Sequence, residues 1–154
     1  MKQIDPYLFF LKEYLSNWKK CEIKEPNSGI TFSSTEHAYM FYKASFFGDA
    51  GARQEILKAK TPREAKDWGG KVSRYNEVSW DIMRESFMTY VNYLKYTQHP
   101  DLKEKLLATG DLELVEANGN DRIWGIGKYE DDPNLLDIST WGRNLLGKCL
   151  MDIR

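Results

Sequence analysis

"FSSTEHAYMFYKASFFGD", Phe32 to Asp49, decides the fold class. Tyr39, Tyr42 and Phe46 recur at three- and four-residue spacing, and Ala38, Phe41 and Ser45 repeat it one position earlier. That is the period of a helix and not the alternation of a strand, so the spacing predicts a helix from Ser34 to about Gly48. Glu36 and Lys43 lie seven positions apart on it. At ~100° per residue they point within about 20° of one another, with Cα atoms ~10.5 Å apart along the axis. Surface ion pairs sit one turn apart; a carboxylate and an amine two turns apart reach instead toward a common small molecule. A second reading takes Ser33-Ser34-Thr35-Glu36 as an S-x-x-E capping box, with Lys43 in solvent. His37 falls with Phe41 and Ala44 on another face and reads first as a hydrogen-bonded structural histidine.

Outward from this helix the chain stays mainly α. Upstream, YLFF (7–10) reads as a strand, and "CEIKEPNSGITFS" as two short strands around a Pro-Asn-Ser-Gly turn. Downstream, Asp49 caps a helix through about Lys58, and "TPREAKDWGG" has Thr61 as cap, Pro62 in the first turn and two glycines as a stop. "EVSWDIMRESFMTYVNYLKY" is the longest helix, with Met83, Phe87, Tyr90, Val91 and Leu94 as its core stripe and Asp81, Glu85, Asn92 and Lys95 elsewhere. A helix follows His99 and ends at Gly110, LELVEA is a short strand, and a last helix is expected from about Thr140 to Ile153. Gly142 and Gly147 inside it each cost roughly 1 kcal/mol against Ala, which implies a close approach to the backbone. The expected class is a mainly α, single compact helical domain over 1–154 with a small β element near the N-terminus.

Composition narrows the function. The chain has 154 residues, 42% hydrophobic and 14% aromatic, ample for one core. A net charge of −1 provides no broad cationic surface, so any nucleic-acid contact must be local. No apolar run approaches the ~20 residues of a membrane span, and MKQIDPYLFF lacks signal-peptide features. The reading is a soluble, cytoplasmic protein with Cys21 and Cys149 as free thiols; two histidines and two cysteines far apart in sequence give no grounds for a metal site. A second cluster, "EANGNDRIWGIG", supplies Gly119, Gly125 and Gly127 for backbone approach to an anion, the Asp121 carboxylate and the flat face of Trp124. The alternative is a surface loop pinned by a buried Trp124.

In order along the chain, "YLSNW", "FSSTEHAYMFYKASFFGD", Pro62, Lys66, Gly69, Trp80, "LLATG", "LVEAN", "NDRIWGIG" and "WGRNLLGKCLMDIR" resemble the NADAR, or YbiA-like, family over nearly the whole length. One departure is Gly70, where the family often has Arg. The resemblance implies an N-glycosidase acting on ribosides related to ADP-ribose, without metal or other cofactor. Its foremost implied reaction is removal of ADP-ribose from modified guanine in DNA; the alternatives are hydrolysis of phosphoribosyl-amine intermediates of riboflavin synthesis and a noncatalytic ADP-ribose or nucleotide reader. Implied partners are an ADP-ribose-type or phosphoribosyl moiety and ADP-ribosylated DNA through local contacts. Carried onto matching positions, Glu36, Lys43 and Asp121 become catalytic candidates, and Ser16, Asn17, Trp80, Trp124, Gly125, Gly127 and Asn144 substrate-binding candidates. Breaking a C1′–N bond builds positive charge on the ribose, which a carboxylate stabilises, and Glu36 is the choice for that role. Lys43 either donates to the leaving group or, desolvated, attacks C1′.

Overall fold

The computed structural model describes residues 1–154. In chain order the elements are β1 (Lys2–Ile4), β2 (Tyr7–Phe10), β3 (Ile23–Lys24), β4 (Thr31–Phe32), α1 (Thr35–Phe46), α2 (Ala50–Lys58), α3 (Pro62–Gly69), α4 (Glu77–Gln98), α5 (Pro100–Leu107), β5 (Glu113–Glu116), a 3₁₀ turn at Ile138–Thr140 and α6 (Leu145–Ile153). The class is mainly α with small sheets, as the periodicity predicts. The elements divide into two compact units, Asn17–His99 and Met1–Ser16 with Pro100–Arg154.

In the Asn17–His99 unit, α1 packs against α2, α3 and α4. Local chemistry sets the helix starts. Asp49 accepts from the Ala52 amide at 2.9 Å, and Thr61 from the Glu64 amide at 3.2 Å, as the capping pattern requires. At α1 the capping-box reading fails: the cap is Ser34, whose hydroxyl accepts from the His37 amide at 3.1 Å, so Glu36 stands one position short of the residue that would close a box. β3 and β4 form an antiparallel pair, Ile23 opposite Phe32, and the Glu25 carboxylate accepts from the Asn27 and Ser28 amides in the turn between them.

α4 corrects the expected stripe. Val91 and Leu94 are buried, but Met83, Phe87 and Tyr90 are only half-buried, whereas Asn92 and Lys95, placed off the core by the pattern, are fully buried. Asn92 is drawn in by a polar partner: its Nδ2 donates to Asn17 Oδ1 and to the Met88 carbonyl, both at 3.1 Å. Lys95 lies with Nζ 4.9 Å from the Tyr96 ring centre, and burial lowers its pKa from near 10.5 to about 8. Between those values the unfolded chain holds more protons at this site than the native one, so the Lys95 contribution to stability rises with pH from about 8 to 10, opposed at the alkaline end by the Cys21 thiol, whose pKa burial raises; at neutral pH the native state bears an ammonium burial cost of about 3 kcal/mol. Above pH 10 the raised pKa values of buried Tyr39 and half-buried Tyr42 work in the opposite direction. Lys95→Met is expected to flatten the rise between pH 8 and 10 in urea unfolding curves; an unchanged slope would show that Lys95 does not cause it.

In the other unit, β2 lies between β1, antiparallel, and β5, parallel with Tyr7 opposite Glu113. Phe9, Val115, Ala117, Ile126 and Leu135 form its core, and the Trp141 ring packs edge-on against Tyr7 and Phe9 at 5.2 and 5.9 Å. The last helix starts at Leu145 and not at Thr140. The amides of Gly142, Arg143, Leu145 and Leu146 donate to the carbonyls of Ile126, Arg122, Ile123 and Trp124, and this pairing with the preceding loop keeps residues 142–144 out of the helix. The close approach expected at Gly147 is real and comes from a strand: a Cβ there would stand 2.0 Å from the Leu114 carbonyl oxygen of β5.

Candidate active site

Glu36 and Lys43 occupy one face of α1, with Tyr39 between them. Glu36 is buried, and its amide donates to the Asn17 carbonyl at 3.0 Å. Asn17 ties this end of α1 down: its carbonyl and Oδ1 accept from Thr35 Oγ1 at 3.0 and 3.1 Å, Oδ1 also takes the Asn92 amide, and Nδ2 lies 3.2 Å from Met88 Sδ. Asn17, braced by Asn92, thus fixes where the Glu36 side chain begins its reach.

Lys43 is half-buried, its Nζ 4.6 Å from the centre of the Tyr75 ring and 5.9 Å from that of Trp80. Burial lowers its pKa, the Arg84 guanidinium lowers it further, and the Glu77 and Glu36 carboxylates oppose the shift. Arg84 is 3% exposed; it pairs with Glu77 through Nη2 and with Asp81 through Nε at 3.2 Å. The Tyr75 hydroxyl donates to the other oxygen of Glu77. Around the amine runs a wall of rings: Trp80 lies 5.4 Å from Tyr39, 5.9 Å from both Phe46 and Phe47, and stacks at 5.7 Å on Phe87. Phe46 and Tyr75 keep 39% and 43% of their surface exposed, so part of this aromatic wall meets solvent.

His37 takes the structural role. Its Nε2 donates to the Ile56 carbonyl at 2.6 Å, which leaves Nδ1 to accept from the Ser33 amide at 3.2 Å, and burial lowers its pKa so that this neutral tautomer is favoured.

Of the candidates, Asn17, Glu36, Lys43 and Trp80 belong to the Asn17–His99 unit; Ser16, Asp121, Trp124, Gly125, Gly127 and Asn144 belong to the other. In that unit Asp121 Oδ1 accepts from the Ile123 and Trp124 amides, both at 2.8 Å, and so shapes the loop that presents the half-buried Trp124. Gly127, at φ +73°, turns its amide to the Asn118 and Asp121 carbonyls, so that amide serves the loop and not an anion. A Cβ on Gly125 would lie 2.9 Å from the Glu116 carbonyl oxygen. Asn144 bridges to β5, with Oδ1 accepting from the Glu116 amide at 3.0 Å and Nδ2 donating to the Leu114 carbonyl at 2.9 Å. Ser16 is buried, its amide donating to the Glu13 carbonyl at 3.0 Å.

Tyr39, Tyr75, Glu77 and Arg84 were not legible as site residues. One signal was available: Glu77 and Arg84 repeat on α4 the seven-residue spacing of Glu36 and Lys43 on α1. No group of three or more His, Cys, Asp or Glu side chains is gathered as a metal site would require, and no helix is long and apolar enough to cross a membrane.

A buried carboxylate and a half-buried amine thus share one face of α1 beside a cluster of aromatic rings. The chain belongs to the NADAR domain family, whose model matches residues 9–154. It is 35% identical to an N-glycosidase of Acanthamoeba polyphaga mimivirus, over 99% of this chain and 96% of that one. It is 32% identical to the N-glycosidase YbiA of Escherichia coli over 82% of this chain and 71% of that one. The NMR structure of YbiA superposes with a TM-score of 0.78 at 29% identity, covering 99% of this chain and 85% of that one. A riboflavin biosynthesis protein of Vibrio vulnificus is 30% identical over 92% of this chain, which spans 34% of that longer protein.

Proposed function

We propose that this protein is an N-glycosidase, a hydrolase of N-glycosyl bonds, that cleaves the C1′–N bond of an ADP-ribose-related riboside and removes ADP-ribose from modified guanine. The observation that carries the reading is the juxtaposition on α1 of buried Glu36 with the desolvated Lys43 amine. Glu36 is placed to stabilise the cationic ribose, and Lys43 to meet C1′ or the leaving base. The solvent-exposed part of the aromatic wall at Phe46 suits a purine, since stacking on a ring is worth about 1 to 3 kcal/mol per base. With a net charge of −1, DNA would be gripped through the modified nucleotide rather than along its backbone.

A second reading, hydrolysis of phosphoribosyl-amine intermediates of riboflavin synthesis, is favoured by the similarity to the Vibrio riboflavin biosynthesis protein. Incubation with ADP-ribosylated-guanine DNA and, separately, with those phosphoribosides, followed by mass analysis, decides between them. Free ADP-ribose with restored guanine supports the first; release of ribose phosphate from the phosphoribosides alone supports the second.

Trp124 is proposed to stack on the substrate. Trp124→Ala is then expected to weaken ligand binding by about 1 to 3 kcal/mol by titration calorimetry, with little change in melting temperature. A large fall in melting temperature with unchanged affinity would make it a core residue.

A further inference from the structure

Lys43 is held by more than its own helix. Its Nζ lies over the Tyr75 ring at 4.6 Å, the Tyr75 hydroxyl donates to one oxygen of Glu77, and Arg84 donates to the other. The far end of this chain is fixed, because Arg84 is 3% exposed and also pairs with Asp81. The near end is not: Tyr75 keeps 43% of its surface open and stands just before α4, outside any helix. Two contacts hold the ring: its packing on Phe47, with centroids 5.4 Å apart, and the bond its hydroxyl donates to Glu77, which alone ties it to α4.

We propose that Tyr75, Glu77 and Arg84 are positioning residues for Lys43: Arg84 anchors Glu77, Glu77 orients the Tyr75 ring through its hydroxyl, and the ring face holds the Lys43 amine in place. The inference rests on the reading of Lys43 as a reacting group. The ring face attracts the ammonium and not the neutral amine. The charged groups facing Lys43 are Arg84 and Glu77 from α4 and Glu36 from α1, and burial of the amine outweighs each of them. The device therefore works in two senses. Tyr75 and Glu77 favour the cation, Arg84 and burial favour the free amine, and the balance sets how much of the nucleophile exists at a given pH.

Tyr75→Phe, which keeps the ring and every charge but removes the bond to Glu77, distinguishes positioning from charge alone. Lysine labelled with ¹³C at Cε reports the titration of each side chain by NMR, and the Lys43 signal is assigned by its loss in Lys43→Arg. Tyr75→Leu and Glu77→Gln are expected to lower the Lys43 pKa, each by about half a unit, the size of an exposed cation–ring contact. Arg84→Gln is expected to raise it, and Arg84→Lys, which keeps the charge and folds more safely, to leave it near wild type. Tyr75→Phe keeps the ring but frees it, and should fall between wild type and Tyr75→Leu. A Lys43 titration unmoved by Tyr75→Leu and Glu77→Gln, or moved in the same direction by Glu77→Gln and Arg84→Gln, overturns the inference. The acid limb of kcat/KM is measured on the same variants. If the titration moves as stated while that limb stays fixed, the positioning stands and the assignment of Lys43 to the reaction fails.

Discussion

Turnover by Glu36→Gln is expected to fall at least ~10²-fold, with the melting temperature nearly unchanged, because the substitution removes the charge and keeps the shape. The α1 start does not depend on this carboxylate: Ser34 is the cap, and the Glu36 contact with Asn17 is made by its backbone amide. Gln keeps the length, the volume and one acceptor oxygen. What it loses is the negative charge that a ribose cation meets as the C1′–N bond stretches, an effect magnified by burial because the surrounding dielectric is low. Steady-state rates on ADP-ribosylated guanine, paired with a thermal melt, check this. Near-normal turnover would remove Glu36 from the reaction, and loss of the fold would return it to a structural role.

Local chemistry made the helices legible; distant chemistry hid much of the site. Asp49 and Thr61 cap helices where the sequence places them because a cap depends only on residues three positions away. The difference between Ser33 and Ser34 as the α1 cap turns on His37, whose ring accepts from the Ser33 amide and whose own amide donates to the Ser34 hydroxyl. Polar residues on α4 were misassigned for a related reason. A helical wheel sorts residues by apolarity, yet Asn92 is buried because Asn17, far off in sequence, offers it an acceptor. The pairing of β2 with β5 joins segments separated by most of the chain, beyond the reach of any local pattern.

The same limit applies to the candidate site. The relation of Glu36 to Lys43 is a property of one helix and can be computed from residue number alone. Tyr75, Glu77 and Arg84 reach Lys43 only once α4 lies beside α1, so the amine's electrostatic setting belongs to the fold and not to the motif. Trp80 was legible through family resemblance; its contact with Tyr39 and Phe46 has no local signature, because α1 and α4 meet only in the fold.

Borohydride added during turnover is expected to fix a sugar onto Lys43. In the reaction proposed, the neutral Nζ attacks C1′ as the C1′–N bond breaks, and the departing base takes one of the two Nζ protons. Opening of the ribose moves the other proton to the ring oxygen and leaves a C1′=Nζ imine, which a proton from solvent converts to the iminium. Water adds to C1′ and the lysine departs, so one water is consumed, its hydrogen on the base and its hydroxyl on the sugar. Hydride delivered to the iminium carbon halts this sequence as a stable secondary amine, which mass spectrometry reads as an added sugar on the peptide carrying Lys43. The setting favours the neutral nucleophile: burial and Arg84 both lower the Lys43 pKa, so turnover should rise with pH until the amine is deprotonated. Lys43→Arg is expected to lose the adduct and to lose turnover by a factor of ~10² or more, since a guanidinium stays charged and cannot attack. Loss of turnover without any adduct on wild type would make Lys43 a donor to the leaving base. Full turnover by Lys43→Arg would exclude both roles and shift the chemistry to Glu36 and a water molecule.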